Sequence, residues 1–170
     1  MERGSDFWRF SLSLYRMDGV PAACIALQDN HGLDVNVMLF ALWLASKGRA
    51  LSAGDLRESD EAIAAWRRDV VVALRGVRRH LRQPPKEVDA LAAEALREKV
   101  KAVELESERL QQEALFALRA AEAWGSPAAP DTAGAANLDA CAASIGATFS
   151  TQLKEPLLSA YRLLIATPKS

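Results

Sequence analysis

Residues suited to metal or redox chemistry are scarce in this chain. It holds two cysteines and two histidines in 170 residues, and no Cys-x-x-Cys, His-x-x-x-His or Glu-x-x-His. The zinc spacings and the carboxylate–histidine signature of di-iron bundles are therefore missing. Cys24, Asp29, His31 and Asp34 lie close together but at no ligand spacing, so the expectation is no metal and no cofactor. No glycine-rich phosphate loop occurs. Asp29 and Asp34 form a single acidic cluster, wrongly spaced for magnesium–diphosphate chemistry. A nucleophilic device would have to use His31 or His80, and His80 stands among arginines on a solvated face. Nothing in the sequence assigns a catalytic residue, and an enzyme is not the expectation.

Excess positive charge is absent too. The formal net charge is -1, which excludes a dedicated DNA binder. The N-terminal MERGSDFW has no apolar run, so no signal peptide is expected. The longest apolar run is about half of the roughly 20 residues a membrane span needs, and no membrane role is expected. Cys24 and Cys141 sit in apolar helical surroundings and read as free, buried thiols in a reducing, cytoplasmic setting.

What the chain does have is alanine, leucine and helical periodicity. Cys24 to Gly48 is its most apolar stretch. Gln28–Gly32 reads as a turn between two apolar runs, with Asp34 as N-cap of the second. From Val35 to Ala45 nearly every residue is apolar, which places that helix inside a core. Asn36 shares a face with Phe40 and Trp43. It reads either as an amide bonded to the Gln28–Gly32 turn or as a polar group lining a small pocket.

Around this centre the pattern predicts an all-α irregular bundle with a long antiparallel helical hairpin. Ser5 caps a first helix. Ser52 and Asp55 form a capping box, and Ser59-Asp60-Glu61 is a second start signal. Ile63, Trp66, Val70, Leu74, Val77 and Leu81 then mark one apolar stripe. Pro84-Pro85 stops that helix. Residues 86–124 contain no glycine or proline, and a straight helix there would run about 58 Å, longer than a compact body of this size. Leu96, Val100, Val103, Leu110, Ala114 and Ala117 mark its stripe. The domain reading is a helical core over 1–124, a flexible linker over 125–136, and C-terminal helices over 137–170 packing back. In the last part Asn137 acts as a cap and Pro156 restarts a final helix.

Charge supports the hairpin. Arg67 to Lys86 holds seven basic residues against Asp69, whereas Glu87 to Glu122 holds nine acidic against five basic. Arg68, Arg75, Arg79 and Arg82 share a helix face at steps of 7, 4 and 3, with Arg67 and Arg78 beside it. Pairing with Glu94, Glu98, Glu104 and Glu108 is one reading of that face. Contact with RNA backbone is another.

The segments FWRFSLSLY, LQDNHGLDVN, LFALWL, AWRRDVVVALRGVRR and KAVELESERLQ resemble a family of small, helical, conserved hypothetical proteins of proteobacteria. The likeness covers about residues 5–115 and rests on Gln28, Asp29, Asp34, Asn36, Trp43, Trp66, Arg67, Arg75, Arg78, Arg79, Glu104 and Glu108. It implies a bacterial, cytoplasmic setting and no activity. Three functional readings follow. The first is a non-enzymatic adaptor that meets a protein partner or itself through Arg68, Arg75, Arg78, Arg79, Glu104 and Glu108. The second is a small-ligand or enzymatic site built from Gln28, Asp29, Asp34, Asn36 and Trp43. The third is RNA-backbone binding by the arginines.

Overall fold

A computed structural model of the chain describes residues 4–119 and 124–167. Helix α1 (Asp6–Tyr15) starts on Ser5, whose hydroxyl accepts from Trp8 N. Helix α2 (Val20–His31) opens with Pro21 and ends on Gly32 in the left-handed region. The expected turn at Gln28–Gly32 is thus the last helical turn of α2, and the reversal is confined to Gly32-Leu33-Asp34. Helix α3 (Val35–Ser46) is capped by Asp34, and every residue from Asn36 to Ala45 is buried. Phe40 and Trp43 are inside, as an all-round apolar helix requires.

A two-residue strand β1 (Arg49–Ala50) follows. Next, α4 (Ala53–Trp66) starts on the Ser52–Asp55 capping box and does not break at Ser59. Ser59 is buried, with its hydroxyl on Asp55 O. The helix instead loosens later, through a π turn at Arg67–Val71, and continues as α5 (Val72–His80). Val72 N donates to Arg67 O, an i→i−5 bond. Helix α6 (Ala90–Arg119) returns antiparallel to this segment: Trp66 bonds Ser107, and Arg75 and Arg78 meet Glu104.

The reading of 125–136 as a linker is overturned. Ser126–Pro127 forms strand β2, antiparallel to β1 with Arg49 opposite Pro127, and helix α7 (Pro130–Ser144) begins at Pro130. Small residues serve close contact here, not looseness. A side chain at Gly134 would stand 2.5 Å from the Tyr161 ring, and one at Gly125 would stand 2.2 Å from Ala50 O. Asn137 is no cap. It is fully buried in mid-helix, accepting from Leu51 N and donating to Ala41 O and Arg49 O. Pro156 restarts nothing either, since it lies inside α8 (Thr151–Ala166), which is capped by Ser150.

One core joins α1, α2, α3, α4, α7 and α8, and the C-terminal part of α6 enters it through Leu115. Helix α7 lies along α3, and α1 and α6 cover α3 from another side. Among the described residues no helix is long and apolar enough to cross a membrane.

Candidate functional site

The reversal at Gly32–Asp34 brings the N-terminus of α3 against α6. Asp34 uses one oxygen to cap α3, accepting from Asn36 N at 2.7 Å and Val37 N at 3.3 Å. Its other oxygen accepts from Arg67 at 3.0 Å and from Gln111 Nε2 at 2.8 Å. Arg67 also forks onto Asp60. Those bonds, against the opposing cost of burial, hold its guanidinium well above the ordinary value. Asn36 does not reach the α2 turn at all; Gln112 Nε2 donates to its side-chain oxygen at 2.7 Å.

One helical turn further along α6, Arg75 makes three bonds. It donates to Glu104 at 3.1 Å, to Glu108 at 2.9 Å and to Gln28 Oε1 at 2.9 Å. Arg78 adds two more to Glu104. Burial acts to raise the Glu104 carboxyl, but the bonds from Arg78 and Arg75 outweigh it and hold the group below the ordinary value. Glu108 goes the other way. Burial pushes its carboxyl up, and Arg75 alone does not offset the burial together with the nearby charges of Glu104 and Asp34. The folded state therefore binds the Glu108 proton more tightly than the unfolded state. On that account stability falls as pH rises from the ordinary value of 4.5 through the higher folded value. Glu108→Gln should accordingly be more favourable near neutral pH than below the unfolded value. Paired urea titrations at acid and neutral pH check this, and an effect independent of pH would contradict it.

These groups border a cleft of about 910 Å³ between α1, α2, the π turn with α5, and α6. Of the sequence-predicted residues it gathers Gln28, Asp29, Asp34, Asn36, Arg75, Arg78, Arg79, Glu104 and Glu108. Two fall elsewhere. Trp43 stacks on Phe40 and meets Phe7 and Phe116 at tilted angles in the core, with Lys47 over its ring. Arg68 points to solvent and forks onto its neighbour Asp69. The cause is the π turn, whose extra residue per turn shifts the helix phase by one position. Arg67 then takes the inward place that α-helical counting gives Arg68. Val71 is buried in place of Val70, and Trp66 and Val77 are left half exposed. The arginine face expected for RNA is thus divided: Arg67, Arg75 and Arg78 are occupied by carboxylates, while Arg79 lies 3.7 Å from Asp29 near the surface.

Sequence reasoning missed Ser11, Gln111 and Gln112. All three are buried and border the cleft. Ser11 Oγ, Gln111 Oε1 and Gln112 Oε1 are buried atoms with no hydrogen-bond partner among the described residues. No sequence signal separates them from ordinary polar positions, since glutamine on a charged helix and serine on an amphipathic one are both common. Ser11→Ala removes one such atom and should raise stability by up to about 1 kcal/mol. A thermal melt that falls by several degrees would contradict this.

Cys24 also borders the cleft, but burial pushes its thiol up to about 12, so it is an inert wall rather than a nucleophile. Among the described residues no group of three or more His, Cys, Asp or Glu side chains could hold a metal ion. A family described as "Protein of unknown function (DUF2390)" matches residues 6–115. No curated protein and no solved structure matches the chain.

Proposed function

The chain belongs to the DUF2390 family, and we propose that it is a small-molecule-binding protein whose ligand occupies the cleft between α1, α2, α5 and α6. One observation carries the reading. Buried polar atoms are almost always bonded, and here three without a partner belong to residues of a single cleft. Nearly everything around them is bonded, often two or three times. A cleft of about 910 Å³ falls within the range of small-molecule sites. Its wall mixes apolar side chains such as Trp8, Leu12 and Leu39 with a few fixed polar groups. The two free, buried thiols support a reducing, cytoplasmic setting.

A fragment screen by ligand-observed NMR tests the reading, with Ala102→Trp as the comparison. Ala102 is exposed and borders the cleft, so the larger ring fills space without entering the core. Fragments that bind the natural chain should lose binding to this variant. Binding unaffected by the tryptophan, or no binding fragment, refutes the proposal.

A second reading, self-association, is favoured by one specific feature of α6. Leu96, Val103 and Leu110 recur at steps of seven and are 49%, 54% and 43% exposed. A row at heptad spacing on a 30-residue helix is a seam for another helix. An antiparallel second copy centred on Val103 would set Leu96 against the partner's Leu110 and bring Lys99 near the partner's Glu106. Light scattering after size exclusion should give a dimer, and Val103→Glu should convert it to a monomer. A natural chain that is monomeric at every concentration removes this reading.

A further inference from the structure

The cleft wall divides into two zones of charge. In the inner zone Arg67 bonds Asp34, Arg75 bonds Glu104 and Glu108, and Arg78 bonds Glu104. Three cations there meet three carboxylates, and Asp60, the second partner of Arg67, lies outside the wall. In the outer zone Arg79, Arg82 and Lys101 stand against Asp29 and Glu98, which leaves one positive charge in surplus. These three cations are loosely held. Arg79 is 3.7 Å from Asp29, too far for a hydrogen bond. Lys101 reaches Glu98 at 3.5 Å, and Arg97 already holds that carboxylate at 3.0 Å. The Arg82 side chain is exposed and takes no hydrogen bond or close ion pair among the described residues. The three share one neighbourhood. Arg79 and Arg82 are three residues apart where α5 ends. Glu94, held below its ordinary value chiefly by its bond from Arg97, also feels the charges of both Arg82 and Lys101.

Apolar surface stands beside these cations. Ile25 on α2, Val72 on α5 and Leu105 on α6 all border the cleft, and each is about half exposed. Exposed apolar side chains scattered singly are ordinary. Three from separate helices lining one cleft form a surface that a small apolar group can cover. Val72, Arg75, Arg79 and Arg82 follow one another at steps of 3, 4 and 3, on one helix face. Lys101 lies one turn before Leu105 on the antiparallel α6. The groove therefore grades from apolar at Val72 to cationic at Arg79, about 10 Å away at 1.5 Å per residue.

We infer that the cleft takes an amphipathic carboxylate, with its head on Arg79, Arg82 and Lys101 and its hydrocarbon stem on Ile25, Val72 and Leu105. A carboxylate accepts the two parallel N–H bonds that a guanidinium offers, and its single charge equals the surplus in the outer zone. A phosphate monoester, at about 1.5 to 2 negative charges, exceeds it. Exposed charges are screened, so apolar burial supplies most of the affinity and the head supplies the selectivity. The inference rests on the cleft being a ligand site and names the class of ligand.

The test compares three probes of equal chain length, sodium octanoate, octylammonium chloride and 1-octanol, in NMR titrations of the full chain at low salt. Octanoate should bind at least tenfold more tightly than the other two. It should shift the Nε–H resonances of Arg79 and Arg82 and the backbone amides of Val72 and Leu105. The double variant Arg79→Gln with Arg82→Gln leaves the inner network untouched and should abolish the preference for octanoate over octanol. Octanol bound equally by both proteins shows that the variant is folded. Lys101→Gln alone should weaken octanoate several-fold and leave octanol unchanged. A preference that survives both variants, or octylammonium or octanol binding as well as octanoate, overturns the carboxylate assignment while the ligand site stands. Vesicles of phosphatidylglycerol present an anionic head and hydrocarbon as a surface, and they should not sediment the chain. Sedimentation with them would assign the groove to a bilayer and overturn the free carboxylate. Should no probe shift a cleft resonance although fragments displaced by Ala102→Trp do, the carboxylate assignment again fails alone. Should neither probes nor fragments bind there, both fail.

Discussion

Arg75→Met should lower the free energy of unfolding by about 3–5 kcal/mol, because it strips the shared partner from two carboxylates on the buried side of α6. Arg75 and Glu104 are 19% and 8% exposed at the side chain. The loss is not the value of the pairs themselves, since burying three charges is costly to begin with. It is the cost of leaving Glu104 with Arg78 alone, Glu108 with no counter-ion and Gln28 Oε1 with no donor. Arg75→Lys should recover little of it, because a lysine cannot fork to three acceptors that lie in different directions. Urea unfolding at neutral pH measures both variants. A loss below about 1 kcal/mol for Arg75→Met would mean that the network behaves like an exposed ion pair.

Asn137→Ala should cost about 3 kcal/mol or more. Its side chain ties three backbone groups from two other segments, Leu51 N, Ala41 O and Arg49 O. Each orphaned buried group costs about 1–3 kcal/mol, and the missing volume adds to it. Asn137→Asp should be at least as damaging, because a carboxylate accepts from Leu51 N but cannot donate to the two carbonyls. Chemical denaturation checks the pair. An aspartate variant as stable as the natural chain would show that the donated bonds carry no weight.

The sequence made the centre of the fold easy to find and its edges hard. A run without a polar face has only one place to go, so α3 was legible, as were its cap at Asp34 and the basic–acidic pairing of α5 with α6. Asn137 shows where such reading stops. In an alanine- and glycine-rich stretch, an amide at a helix start and an amide clamped in a core look the same, because the deciding contacts come from residues nearly a hundred positions away. The cleft was partly legible for the same reason. Gln28, Asp34 and Asn36 flagged themselves as polar groups beside a buried helix. Gln111 and Gln112 did not, because glutamine on a charged helix is ordinary until its neighbours are known. Arg68 and Arg67 exchanged roles because helical counting assumes a uniform winding.

That last exchange has a consequence for comparison between relatives. The widened turn at Arg67–Val71 works as a one-residue spacer between a segment anchored on the core and a segment that lines the cleft. A homologue of equal length wound tightly throughout could keep the same salt links only by carrying its inward arginine one place later. Within the family, a relative of equal length without the widened turn should therefore carry the displaced arginine, whereas a relative with a single-residue gap at this point should keep both arginines in their aligned places. A sequence with both the gap and the displacement would have its charges turned outward and should lack the cleft.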